Sequence, residues 1–282
     1  MKRQLSLNYI DRKQALVNIV NYQLLRGIGF SESVTLKVLA HTRFRTYSPG
    51  EVLCPRGVVG LPWRYVLAGV ACTCSPEYDG KRNVFGIVGS GYWIGEAPVD
   101  DTQTTVMEIL CMTEVRVLEV PMEFIQEAFN SEFNFSRYVA RLLNDRILRQ
   151  SETALVQRVP EIVDRVTLGL ALLCETLLNC SSGRASYAPH KPEVVHAHQS
   201  LPFNQTVLGS YCDVSRSNLS QTLKQFAAAG LCQVQYGQVT VLRLEAWMHT
   251  LKIHRNRAES IGLGAYETLI NFSLRPDYEI LV

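Results

Sequence analysis

Residues 204–242 read as two short amphipathic helices followed at once by a hairpin, and that order leaves few architectures open. Along Val214-Ser215-Arg216-Ser217-Asn218-Leu219-Ser220-Gln221-Thr222-Leu223-Lys224-Gln225-Phe226, a helix at 100° per residue puts Leu219, Leu223 and Phe226 on one face. Arg216, Ser217, Ser220, Gln221 and Lys224 then fill a contiguous arc of about 140° beside it. Ser215 is placed to cap this helix, which leaves Arg216 and Ser217 in an exposed first turn. Upstream, Asn204 is placed to cap Gln205–Tyr211, with Val207, Leu208 and Tyr211 facing inward, and Gly209 permits close approach of the second helix. Cys212-Asp213-Val214 form the turn, where Asp213 stands at a position that often needs positive φ and tolerates it better than most residues. Leu231–Gln235 and Gln238–Leu242 flank Tyr236-Gly237 as a hairpin, a weaker turn signal than Asn-Gly. The spacing is that of a helix-turn-helix followed by a wing.

Two uses fit such a unit. It can be an ordinary helical hairpin inside a core, or it can enter a major groove. Arg grips guanine O6 and N7, and Gln grips adenine N6 and N7, so Arg216, Ser217 and Gln221 fit the second use. Charge distribution favours it as well. The net charge is only +2, but Leu201 to Arg257 carries six cations (Arg216, Lys224, Arg243, Lys252, Arg255, Arg257) against Asp213 and Glu245, while Glu51 to Arg158 has an acidic excess. A basic end on a near-neutral chain points to nucleic acid there and to another task elsewhere.

With 282 residues, 47% of them hydrophobic, the chain is long enough for two domains with cores of their own. The opening MKRQLSLNYIDRKQ lacks the apolar core and cleavage site of a signal peptide, and the longest apolar run, Val166–Cys174, is too short to span a bilayer. A cytoplasmic protein with no membrane partner is expected. Its eight cysteines, at 54, 72, 74, 111, 174, 180, 212 and 232, form no CxxC and read as free thiols. Cys72 and Cys74 would share a strand face, which leaves a redox or metal role open for that pair.

The remaining texture divides the chain at 1–43, 44–132, 133–159, 160–244 and 245–282. Residues 1–43 look helical, with Leu16, Ile19, Val20 and Leu24 near helical spacing. From Phe44 to Val120 short β-rich pieces alternate with Gly and Pro and with the turn signal Asp79-Gly80, as in a sandwich or barrel-like roll. Phe124, Ile125, Ala128 and Phe129 make a short helix. A long one from about Phe133 to Val159 places Phe135, Val139, Leu142, Ile147 and Ala154 on a narrow stripe, with Arg141, Arg146 and Arg149 outside it. Such a stripe packs on its own roll or on a copy of itself. A further apolar helix follows Pro160 to about Asn179, then a loop from Ser181 to Pro192; residues 245–282 form an extra segment without a readable motif.

This order of elements resembles the Crp/Fnr superfamily, the cyclic-AMP receptor protein and its relatives. The resemblance rests on Gly69, Tyr92-Trp93-Ile94-Gly95-Glu96, Leu148 to Arg165, Leu208-Gly209-Ser210-Tyr211 and Ser215-Arg216 to Leu223-Lys224, and runs from about Phe44 to about Leu244. It implies an α+β chain: a cyclic-nucleotide-binding-like β-roll (a jelly roll), a long dimerisation helix and a C-terminal winged helix-turn-helix. By the resemblance Arg216, Ser217 and Gln221 take base-reading positions, and Gln205 and Asn218 phosphate-contacting ones. Asn204, Ser215, Ser220 and Lys224 complete the expected DNA-binding set. The family has Glu and Arg where Ser217 and Gln221 stand, so a different target sequence is implied.

The effector region departs from the family. Nucleotide-binding relatives follow Gly-Glu with an Arg and a Ser or Thr for the cyclic phosphate, whereas Ala97 to Thr105 here contains no cation and does contain Asp100 and Asp101. Those carboxylates would repel a phosphate. Gly95, Glu96, Gln150 and Ser151 are the candidate effector contacts. No N-terminal cysteine cluster stands where the iron–sulfur branch has one, and no His lies between His41 and His190 to serve a haem or a cupin-type metal centre. The expectation is therefore a bacterial transcription regulator that is not an enzyme, needs no cofactor, acts as a homodimer on double-stranded DNA and does not respond to cyclic AMP, with RNA polymerase a further candidate partner. The competing expectations are a protein–protein module docking through its helix-turn-helix and a cupin-like metal enzyme.

Overall fold

In the computed structural model the described residues are 19–76, 82–95, 104–181, 197–256 and 264–274. Leu16, the Asp79-Gly80 turn, Glu96 with the Asp100-Asp101 segment, and the segment 182–192 lie outside them.

Helices α1 (19–27) and α2 (Glu32–Leu39) precede eight strands: β1 (Arg43–Tyr47), β2 (Val52–Cys54), β3 (Trp63–Ala68), β4 (Val70–Pro76), β5 (Arg82–Gly89), β6 (Trp93–Ile94), β7 (Glu108–Cys111) and β8 (Val115–Val120). They form two antiparallel four-stranded sheets, ordered β1-β8-β3-β6 and β2-β7-β4-β5. Alternation drives their stacking, since Val115, Val117 and Val66 turn inward and are at most 1% exposed. Gly69 makes the tight β3–β4 turn at φ +92°, and a Cβ there would stand 2.0 Å from the Glu114 carbonyl, so no other residue fits.

One end of the roll is closed by helices. α3 (Met122–Ser131) and the first half of α4 (Phe133–Gln157) pack on stacked Trp63 and Trp93, whose rings lie 4.0 Å apart, and Phe135 meets Trp63 edge-on at 5.4 Å. α5 (Ile162–Ser181) then opens the C-terminal half, followed by β9 (His198–Leu201), α6 (Gln205–Tyr211), α7 (Arg216–Ala228), β10 (Cys232–Gln235), β11 (Gln238–Leu242), α8 (Leu244–Arg255) and α9 (Ala265–Ser273). The small sheet is ordered β10-β11-β9. A single core cluster runs from Cys72, Cys74, Val84 and Ile87 of the roll through α5 to Leu208, Leu223, Phe226 and Trp247. The mixed helix-and-sheet architecture expected from the sequence is the one observed.

The long helix corrects the expected stripe. At 100° per residue, Phe135, Val139 and Leu142 share an arc with Arg146, Arg149 and Thr153, while Ile147 and Ala154 lie about 100° or more away with Phe133, Ala140, Leu143, Ser151 and Leu155. The first set faces the protein's own roll and is buried through Phe135, Val139 and Leu142. The second is exposed, with Phe133 at 78%, Ile147 at 61% and Leu155 at 64%. The expected stripe merges two faces, and Arg146 and Arg149 belong to the inner one.

Cys72 and Cys74 are both buried on β4, with a bulge between Thr73 and Cys74. A hydrogen bond between the two thiols pulls Cys72 below and pushes Cys74 above the usual thiol range. Among the described residues no three His, Cys, Asp or Glu side chains gather as metal ligands, and no helix is long and apolar enough to cross a membrane.

Candidate nucleic-acid interface and ligand cavity

The helix-turn-helix is built by caps. The Asn204 side chain accepts from the Thr206 and Val207 amides, both at 3.0 Å, and starts α6. The Ser215 hydroxyl accepts from the Asn218 amide at 3.2 Å, lies 2.9 Å from the Ser217 hydroxyl, and starts α7. Between them Asp213 sits at φ +53°, and Arg165 of α5 holds this turn by donating to the Asp213 carbonyl at 2.9 Å. A Cβ on Gly209 would meet the Val214 carbonyl at 3.0 Å, which accounts for the small residue under the turn. Leu219, Leu223 and Phe226 are at most 1% exposed and fix the rotation of α7 about its axis.

That rotation turns Arg216, Ser217, Gln221 and Lys224 outward, all exposed, with Ser220 and Asn218 half-buried beside them. Gln205 is half-buried at the start of α6, and Asn204 is exposed with its side-chain oxygen used in capping. The wing tip, Tyr236, is fully exposed beyond β10. The α7 N-terminus therefore presents free amides, a guanidinium and two hydroxyls together, a combination suited to anionic oxygens and to base edges.

A cavity of about 350 Å³ lies where the roll, α4, α5 and α6 meet. Phe85, Ile87 and Met107 give it an apolar wall; Arg146, Arg149 and Gln150 line it from α4, and Tyr211 from α6. Gly95 lines it as well, but Ser151 faces outward on α4, one residue and 100° on from Gln150. Arg146 donates to the Trp93 carbonyl, and burial pushes its guanidinium down to about 10. Arg149 lies over the Tyr92 ring, 5.5 Å from its centroid. The buried Tyr92 hydroxyl has no hydrogen-bond partner among the described residues, and burial raises its pKa.

The family model for a cyclic nucleotide-binding domain matches residues 44–132, and that for a Crp-like helix-turn-helix domain matches residues 173–247. The chain belongs to the Crp/Fnr superfamily. Solved Crp/Fnr structures share its fold. The cyclic-di-GMP-responsive global regulator CLP of Xanthomonas campestris is 21% identical, with 75% of this chain and 99% of that one covered at a TM-score of 0.57. A CRP/FNR-family transcriptional regulator from Thermus thermophilus is 18% identical over 74% of this chain and 98% of its own, at 0.57. FixK2 of Bradyrhizobium japonicum is 15% identical over 74% and 96%, at 0.60. At these identities the likeness establishes the fold alone. No curated protein sequence matches the chain.

Within this Crp/Fnr architecture the cavity's cations come from the long helix, and sequence reasoning missed them. The sequence reading places the expected cation after Gly95-Glu96, whereas Arg146 and Arg149 reach the cavity from α4. The signal lay in phase: Arg146, Arg149 and Thr153 repeat at the helical spacing of Phe135, Val139 and Leu142.

Proposed function

We propose that this Crp/Fnr chain is a homodimeric, sequence-specific DNA-binding regulator that does not respond to cyclic AMP. The observation that carries DNA reading is the outward face of α7, where Arg216, Ser217 and Gln221 are exposed on a helix whose rotation is fixed by a buried Leu219-Leu223-Phe226 face. Arg216, Ser217 and Gln221 read bases, and Lys224 grips phosphate. Gln205, Asn218 and Ser220 lie beside the backbone path, while Asn204 and Ser215 act by holding the two helix starts. The exposed Leu143-Ile147-Leu155 side of α4 supplies the dimer seam, because an apolar helical stripe of this kind is stable in water only when covered.

The cavity suits a compact ligand with an apolar body. Its guanidiniums are already engaged, Arg146 with the Trp93 carbonyl and Arg149 with the Tyr92 ring, and the segment after Gly95-Glu96 offers carboxylates in place of a phosphate-binding cation. Titration calorimetry with cyclic AMP and cyclic GMP should give no heat of binding; micromolar affinity for either would overturn this part of the reading. Selection of duplexes from a random library by the full-length protein tests the rest. Recovery of a two-fold symmetric site with steeply salt-dependent affinity is expected, and binding without sequence enrichment would contradict it.

A further inference from the structure

Beyond residue 247, where the helix-turn-helix match ends, the chain continues through the rest of α8 and α9. Arg255, the last residue of α8, reaches two other helices at once. Its guanidinium donates to both carboxylate oxygens of Glu152 on α4, at 2.5 and 2.9 Å, and to both of Glu175 on α5, at 2.7 and 2.7 Å. All three side chains are less than one-third exposed. Paired forks of this kind fix direction as well as distance. Glu152 and Glu175 stand on opposite sides of the α4–α5 junction at residues 158–161, which contains Pro160, so one side chain ties both arms of that hinge.

α9 extends the tie to the reading helix. Asp164 of α5 accepts from the Tyr266 amide at 2.8 Å, and a Cβ on Gly264 would stand 2.6 Å from that carboxylate. Tyr266 in turn stacks on Phe226 of α7 with centroids 5.5 Å apart, and Arg243 donates to the Ser273 carbonyl at 2.5 Å to hold the other end of α9. The extension thus touches the helix that carries the seam, the helix that opens the DNA-binding half, and the back of the helix that reads.

We propose that α8 and α9 act as a clasp that fixes the angle between the α4 seam and the α7 reading face, and thereby sets the half-site spacing the dimer accepts, with Arg255 as the key positioning residue. The proposal rests on the DNA-reading dimer described above. In a two-fold dimer the reading helices must fall about one helical turn of DNA apart, roughly 34 Å for about 10 bp, so a small rotation at the hinge shifts the preferred spacing by a base pair.

Selection from a random duplex library is run with full-length wild type, Arg255→Ala and Glu175→Gln, each checked for an intact fold by circular dichroism. The half-site sequence should be the same in all three pools. Wild type should recover one spacing, Arg255→Ala should spread over at least one further base pair on either side, and Glu175→Gln, which keeps the fork to Glu152, should fall between. Both variants recovering the single wild-type spacing would overturn the clasp while leaving the DNA-reading dimer intact. Should Arg255→Ala fail to fold, Glu175→Gln decides on the same criterion. A wild-type pool without paired half-sites would instead overturn the dimeric reader, and the clasp with it.

Discussion

Ser210, on the first helix of the reading head, accepts a hydrogen bond from the Val84 amide at 2.8 Å and donates to the Arg82 carbonyl at 3.1 Å. β5 is the edge strand of its sheet, and one hydroxyl satisfies two of its backbone groups in place of a neighbouring strand. Ser210→Ala should therefore loosen the docking of head on roll by about 1–2 kcal/mol, because the Val84 amide is left without its partner. Hydrogen exchange is the direct check: protection at Val84 should fall while that of α5 persists. Unchanged protection at Val84 would mean that the shared apolar core alone holds the two halves together.

Substitutions on the two faces of α4 test the proposed dimer seam apart from stability. Ile147→Glu lies on the exposed side and should give a folded monomer by light scattering, with DNA affinity reduced at least tenfold. Leu142→Glu places a charge in the core under the roll and should cost several kcal/mol of stability whether or not dimers form. A dimeric Ile147→Glu protein would place the interface elsewhere.

The reading head was the most legible part of the chain, because its determinants are local. Caps at Asn204 and Ser215, the Leu219-Leu223-Phe226 face and the tolerance of Asp213 for positive φ can each be read within a few residues, and each has its counterpart in the structure. The long helix was harder. Leu142 and Leu143 are equally apolar, and only the roll decides which of them is covered. β9 was missed for a similar reason: His198-Gln199-Ser200 has no strand signature and pairs only because β11 offers an edge. The Arg255 fork joins residues 80 and 103 positions apart, and no pattern in the sequence connects them.

The buried thiols should make the fold sensitive to alkali. Burial pushes Cys111 and Cys232 up to about 11, and Cys180 and Cys212 up to about 12. Thiols of the unfolded chain ionise near 9 while these keep their protons, so above that pH the folded state binds more protons and stability falls. The contribution is fully present below pH 9 and is lost as pH rises towards 12, on the order of 1 kcal/mol per thiol by pH 10. Urea midpoints from pH 7 to 10.5 measure it. All eight cysteines are buried, so a thiol reagent at pH 8 should label none quickly in the native protein and eight after denaturation.

Base reading by the proposed reading helix α7 can be measured directly. Once a selected operator is in hand, Arg216→Ala, Gln221→Ala and Lys224→Ala are each titrated against it and against random duplex over a range of salt. Arg216→Ala and Gln221→Ala should each cost roughly 1–3 kcal/mol on the operator, relax preference at one base pair and leave random-duplex binding nearly unchanged. Lys224→Ala should weaken both duplexes alike and make the salt slope shallower by about one unit. Equal losses on operator and random duplex for Arg216→Ala, with the fold intact by circular dichroism, would contradict base reading by this helix.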